Sequence, residues 1–187
     1  MIVRIDKKLI PNTLKELKTN RLILRWFTPN DLYDVFEYAS DEIVVKYLTW
    51  PKHDTVEVTK TVLEKYFYNQ PGKYAIELDD RKKCIGCIEL RFDFGNDKCS
   101  FGYVLNRKYW NQGIMTEALE EIIRVVFNEL QLNRIESTHY VGNEASGKVM
   151  SKCGMKYEGM CKKELVVKGK YYDVVHYGLI KEEWKRN

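Results

Sequence analysis

YWNQGIMTEAL, residues 109–119, sets one glycine behind two aromatic residues and two amide side chains, directly ahead of the clearest helical pattern in the chain. From Met115 onward, Ala118, Leu119, Ile122, Ile123, Val126, Phe127 and Leu130 recur at three- and four-residue steps, which is the period of one apolar helix face. Glu117, Glu120, Glu121, Arg124 and Glu129 fall on the opposite side, so this helix packs one flank on a core. Its first turn carries amide donors with no partner inside the helix and the positive end of the macrodipole. An anion placed there gains hydrogen bonds and charge complementarity together. Gly113 permits both a positive φ and close approach of a ligand to the backbone. Two readings of it stand at this point: a plain turn between strand and helix, or a turn built to hold a phosphate.

Composition narrows the classes. At 187 residues the chain is long enough for one well-buried domain, and no Pro-, Gly- or Ser-rich tract marks a linker. With 44% hydrophobic and 31% charged residues it has the profile of a soluble globular protein rather than a disordered one. No apolar run approaches the length of a membrane span, and the amino-terminal segment has Asp6 and lysines where a secretory signal needs its apolar stretch, so a cytoplasmic location is expected. A net charge of +4, without a long Lys or Arg block, does not call for nucleic acid and suits a small polyanionic ligand equally well. The cysteines number five, and Cys84 and Cys87, three apart on an expected strand, should point to opposite faces. They read as reduced thiols, and no metal site is expected.

The rest of the chain reads as a mixed α/β order. RLILRWF (21–27) alternates as a half-buried strand and ends at TPND, where Thr28 can cap, Pro29 can fill the first helical position and Asp31 can favour the positive end. A helix should run to about Tyr38, followed by a short one near DEIVVKYL and another from Thr55 to about Tyr68. KYAIEL (73–78), KCIGCIELRF (83–92) and KCSFGYVL (98–105) read as three strands in an antiparallel meander. After the long helix come a strand at 134–141, a helix from Asn143 to Cys153, and two strands joined by a turn near Lys168 and Gly169.

This order, with the glycine segment between the fourth strand and the long helix, resembles the GNAT acyl-CoA N-acetyltransferase superfamily, most closely its RimJ/RimL-type branch of ribosomal-protein N-terminal acetyltransferases. TNRLILR, YWNQGIMTEAL, NRIES, NEASGKVMSKCGMKYEG and YYDVVHYGL carry the resemblance, which covers about residues 19–184 of a single domain spanning 1–187. It implies an α/β fold: a mixed, mostly antiparallel sheet of six to seven strands, splayed between its fourth and fifth strands and flanked by helices.

What the resemblance implies for chemistry is specific. The family turn has Gln or Arg, two free positions, Gly, one free position, then Gly or Ala. Here Trp110 takes the first place, as it often does in this branch, Gly113 is the kept glycine, and Met115 departs from the usual small residue. The amides of Gln112, Gly113, Ile114, Met115 and Thr116 should hold the pyrophosphate of acetyl-CoA, the cosubstrate. Backbone groups of Tyr103, Val104 and Leu105 should meet the pantetheine arm as a further strand would, and an amide there would polarise the thioester carbonyl. Asn143 matches a residue that binds near the pantetheine. Ser146 is placed at the sulfur, to support the departing thiolate, because the tyrosine acid used by many relatives is replaced by Met150.

The acceptor must be a neutral amine, so a base is needed. Glu89 is the first candidate, with Glu136 and Glu164 beside it; Glu117 looks like a support for the turn, and His53 and His139 are further titratable groups. As a strand residue opposite in parity to Ile88 and Leu90, Glu89 also reads as plainly solvent-facing. The acceptor class is a protein N terminus or a small amine such as an antibiotic or polyamine. Tyr47 and Trp50 either line its cleft or cap a helix pair. The branch includes homodimers, so a second copy is a candidate partner; a membrane is not. Other functions considered were a nucleotide-binding protein, which lacks the usual phosphate-loop motifs, an RNA-binding module prompted by Tyr171 and Tyr172, and a non-catalytic coenzyme A binder.

Overall fold

The computed structural model describes residues 16–184, so the segment read against a secretory signal lies outside the described residues. They divide into two compact units, one of residues 16–89 with 103–114 and one of residues 90–102 with 115–184.

The first unit starts with β1 (Glu16–Lys18), β2 (Leu22–Arg25), a 3-10 turn (Pro29–Asp31), α1 (Leu32–Ala39), α2 (Glu42–Val45) and α3 (Val56–Tyr66). Strands β3 (Lys73–Leu78) and β4 (Lys83–Asp93) follow, and β1 through β4 pair antiparallel in chain order. TPND opens the helical stretch as its residue types require: the Thr28 amide donates to Asp31 Oδ2 at 2.7 Å, and Pro29 stands where no amide is needed. Asp31 is 2% exposed and tolerable there because Arg25 donates to both of its oxygens, at 2.9 and 2.7 Å, and to Glu77 at 2.7 Å. Beside this network lies the core of the unit, where Phe27, Val35, Tyr38, Leu63 and Ala75 pack together.

Cys84 and Cys87 both belong to that core cluster. The expectation that they face opposite sides is corrected by a β-bulge: Ile76 pairs with Gly86 while Glu77 pairs with Cys84, so Ile85 is an extra residue that resets the alternation. Both thiols are free, and burial pushes both upward from the usual thiol range.

In the second unit, the start of β5 (Lys98–Leu105) pairs in parallel with β6 (Arg134–Tyr140). The register covers Lys98↔Arg134, Cys99↔Ile135 and Ser100↔Glu136, and at the next step Ser137 Oγ donates to the Phe101 carbonyl at 2.7 Å. β6 pairs antiparallel with β8 (Lys170–Ile180), which pairs antiparallel with β7 (Lys156–Val167). Lys168 (φ 50°) and Gly169 (φ 74°) both have positive φ in the two-residue turn of this hairpin, the signature of a type I′ turn. The helices are α4 (Ile114–Asn128), entered from the glycine turn, and α5 (Glu144–Lys152). Leu119, Ile122, Val126 and Phe127 are fully buried, as the periodicity required.

Strand order is β1-β2-β3-β4-β5-β6-β8-β7, eight strands in a mostly antiparallel sheet. The one beyond the expected seven is β1, whose three residues are too few to show a period. No helix among the described residues is long and apolar enough to cross a membrane.

Candidate active site

The glycine turn is tied down by its carbonyls. Within the first unit, Trp110 Nε1 donates to the Leu105 carbonyl at 2.8 Å, Gln112 Nε2 to the Lys108 carbonyl at 2.9 Å, and the Arg21 guanidinium to the Gln112 carbonyl at 3.0 Å. A 3-10 turn (Arg107–Tyr109) enters the segment, and its charges are anchored by Arg107–Asp41 at 2.8 Å and Lys108–Glu37 at 2.6 Å. Asn111 (φ 60°) and Gly113 (φ 74°) are both left-handed. Among the described residues the amides of Asn111, Gln112 and Gly113 donate to no protein acceptor, whereas three nearby carbonyls are occupied. The result is a backbone concavity of exposed donors with a guanidinium beside it, the arrangement that attracts an anion.

This accounts for the WNQG run of the opening stretch. Trp110 and Gln112 act as braces, and Asn111 supplies the non-glycine side chain that best tolerates φ > 0. Met115 is 5% exposed, so its bulk lies in the core instead of lining the turn. Of the backbone groups expected to meet the pantetheine arm at Tyr103, Val104 and Leu105, the Leu105 carbonyl is already engaged by the indole. Val104 is held close to β4, where a Cβ at Gly86 would stand 2.5 Å from the Val104 carbonyl oxygen.

In the second unit, Asn143 occupies the N-cap position of α5, yet its side chain makes no capping bond; the Ser146 amide instead donates to the Asn143 carbonyl at 3.0 Å. Ser146 lies three residues further along and is half-buried. Met150 is fully buried, so the place of the missing tyrosine is core packing. Thr116 keeps its carbonyl near Cys153 Sγ at 3.6 Å. An open cavity of about 480 Å³ lies over α5, lined by His139, Glu144, Gly147, Lys148, Tyr157 and Tyr177 among others.

Residues 21–156 match the model of the acetyltransferase (GNAT) domain. The chain belongs to the GNAT acetyltransferase family. It is 34% identical over 168 residues to the uncharacterized N-acetyltransferase YnaD of Bacillus subtilis, covering 90% of this chain and 98% of that protein. The [ribosomal protein uS5]-alanine N-acetyltransferase of Escherichia coli is 30% identical over 180 residues, covering 90% and 92%. A solved GNAT acetyltransferase from Bacillus anthracis superposes with a TM-score of 0.83 at 31% identity, covering 89% of this chain and 99% of that one. The protein is thus an acetyl-CoA-dependent N-acetyltransferase, with an amine as second substrate.

The carboxylates expected as bases of this GNAT enzyme prove unequally available. Glu89 faces Lys73 directly across β3 and β4, with 3.4 Å between the charges. For Glu136 burial works to raise the carboxyl, but hydrogen bonds from Lys98 and Arg134 outweigh it and hold it below its usual range, which suits an ion pair better than a base. Glu164 hydrogen-bonds His176 at 2.6 Å. His53 is buried against the Thr59 hydroxyl at 2.8 Å and lowered by desolvation, and His139 Nδ1 sits 2.9 Å from the Tyr140 carbonyl. Trp50 packs on the first unit's core with its ring 5.2 Å from His53, which favours the helix-capping reading over the cleft. Arg21 carries no role in the sequence reading because its contact lies 91 residues away in the chain.

Proposed function

We propose that this enzyme acetylates a protein N-terminal amine, with a ribosomal-protein-like acceptor. The coenzyme diphosphate is held by the amides of Gln112 to Thr116. The observation carrying the coenzyme assignment is the braced turn, whose exposed donors at Asn111–Gly113 have no protein acceptor among the described residues. The acceptor class is supported by the relative named for acting on the alanine of ribosomal protein uS5.

In the reaction the neutral amine nitrogen attacks the thioester carbon, a C–N bond forms, and the C–S bond breaks. The ammonium form must first lose one proton, for which Glu89 is the proposed acceptor, directly or through water; as the C–S bond breaks, the zwitterionic intermediate passes its second proton through water to the departing thiolate, which leaves as the thiol. In the second unit Asn143 is assigned to the pantetheine arm and Ser146 to the thiolate, donating its hydroxyl to the sulfur. In the first unit the backbone of Tyr103 and Val104, with the Leu105 amide, is assigned to the arm.

A thiol-release assay with acetyl-CoA, run across peptide N termini and small amines, tests the reading. Turnover is expected with an alanine-terminated peptide and not with polyamines, and the reverse preference would overturn the acceptor class. Ser146→Ala should slow turnover with the coenzyme Kd unchanged; an unaltered rate would remove its role.

A further inference from the structure

We propose that Cys161, Glu164 and His176 form a surface site for a divalent transition metal of the zinc class, independent of the acetyl-transfer chemistry. One ligand atom from each lies within 4.8 Å of the other two, and Glu164 Oε2 is 2.6 Å from His176 Nε2. The expectation of no metal site covered all five cysteines, and this proposal departs from it at Cys161.

A regular strand would not build it. Cys161 and Glu164 are three apart on β7 and should face opposite sides. Here Cys161 pairs with Val174 and Leu165 with Tyr172, so residues 162–164 stand against Asp173 alone. The bulge is fixed by Lys163, with φ 50° and its amide donating to Asp173 Oδ1 at 2.8 Å. Within this irregular stretch the Glu164 carboxylate reaches both the Cys161 thiol and the His176 imidazole. His176 pairs with Gly159, which has no side chain, and a Cβ there would meet nothing within 4 Å, so the space beside the imidazole is open.

The donor set selects the metal. A thiolate, an imidazole and a carboxylate suit zinc-class ions, whereas magnesium and calcium take oxygen ligands. Thiolate and carboxylate together neutralise a divalent charge while the imidazole stays neutral. Tetrahedral zinc bonds of about 2.0–2.3 Å put ligand atoms about 3.3–3.6 Å apart. The histidine–glutamate pair at 2.6 Å therefore opens by about 1 Å or less, and the other separations, at most 4.8 Å, close by no more than about 1.5 Å. Both are within the reach of side-chain torsions on a solvent-facing hairpin. The fourth position is left to water.

The test uses the full chain, titrated with Co²⁺ and then Zn²⁺. One equivalent should bind with thiolate-to-cobalt absorption. Cys161→Ser should abolish that absorption, and Glu164→Gln and His176→Gln should each weaken Zn²⁺ at least tenfold. The other four cysteines are buried, so an alkylating reagent reads Cys161 in the wild-type protein without any variant, and Zn²⁺ should slow its labelling at least tenfold. Absence of stoichiometric binding, affinity unchanged in all three variants, or labelling indifferent to Zn²⁺ would overturn the site.

Discussion

Replacing Gly113 with alanine separates what the turn needs for folding from what it needs for the coenzyme. Its φ of 74° places alanine in the left-handed region, at a cost of about 1–2 kcal/mol. The loss of unfolded-chain freedom returns about 0.4–1 kcal/mol. No clash adds to this, since the new Cβ would stand 3.6 Å from Arg21 Nη2, an ordinary contact. The net loss is about 1 kcal/mol, or about 2–4 °C in Tm for a chain of this size. Binding should suffer more. A methyl at the mouth of the concavity removes at least one charge-assisted bond from the diphosphate, about 1.5–3 kcal/mol, which weakens coenzyme A about 10- to 100-fold. Gly113→Asn is the control, because asparagine accepts positive φ, as Asn111 already does at 60°. It should melt closer to the wild type and bind as poorly as the alanine variant. Calorimetric melting and coenzyme A titration read both effects. Unchanged affinity in both variants, with the fold intact, would refute the assignment of the turn.

Other consequences follow from packing and charge. Gly147→Ala puts a Cβ 2.7 Å from His139 Nε2 and 3.2 Å from the Tyr177 hydroxyl, so overpacking of about 1–3 kcal/mol exceeds the helix-propensity gain of up to about 1 kcal/mol. Urea unfolding should show a net loss that His139→Ala in the same chain partly restores; additive losses would contradict the contact. Glu37 is held down to about 2 by hydrogen bonds from Lys108 and Lys83. Its folded value lies below the usual 4.5, so its contribution is present above about pH 4.5 and is lost as pH falls towards about 2. With the carboxylate partly exposed, the contribution is on the order of 1 kcal/mol after solvent screening. Glu37→Gln should flatten the stability profile in that window, and an unchanged slope would contradict the pairing.

Elements whose residues repeat a period were legible in the chain. The strands at 73–78 and 98–105 have the expected bounds, and the long helix starts one residue ahead of Met115 and runs to Asn128. The parity argument for the two strand cysteines failed where a bulge intervened: Ile85 brings Cys84 and Cys87 into one core. An extra residue in one strand is a property of the pairing, and alternation read from a single strand does not contain it. The turn was legible as a feature, but its braces were not. Trp110 and Gln112 find their acceptors five and four residues away, visible only once the backbone curls, and Arg21 reaches Gln112 across 91 residues of sequence. Asn143 is of a type that favours the N-cap position it occupies, yet its side chain makes no capping bond.

The most direct measurement is an amide proton–nitrogen spectrum of the full chain titrated with coenzyme A. Resonances of Gln112, Gly113, Ile114, Met115 and Thr116 should shift first and saturate together, with downfield proton changes as their N–H groups take up phosphate oxygens. Saturating coenzyme A that leaves these five amides in place, while others move, would contradict the account.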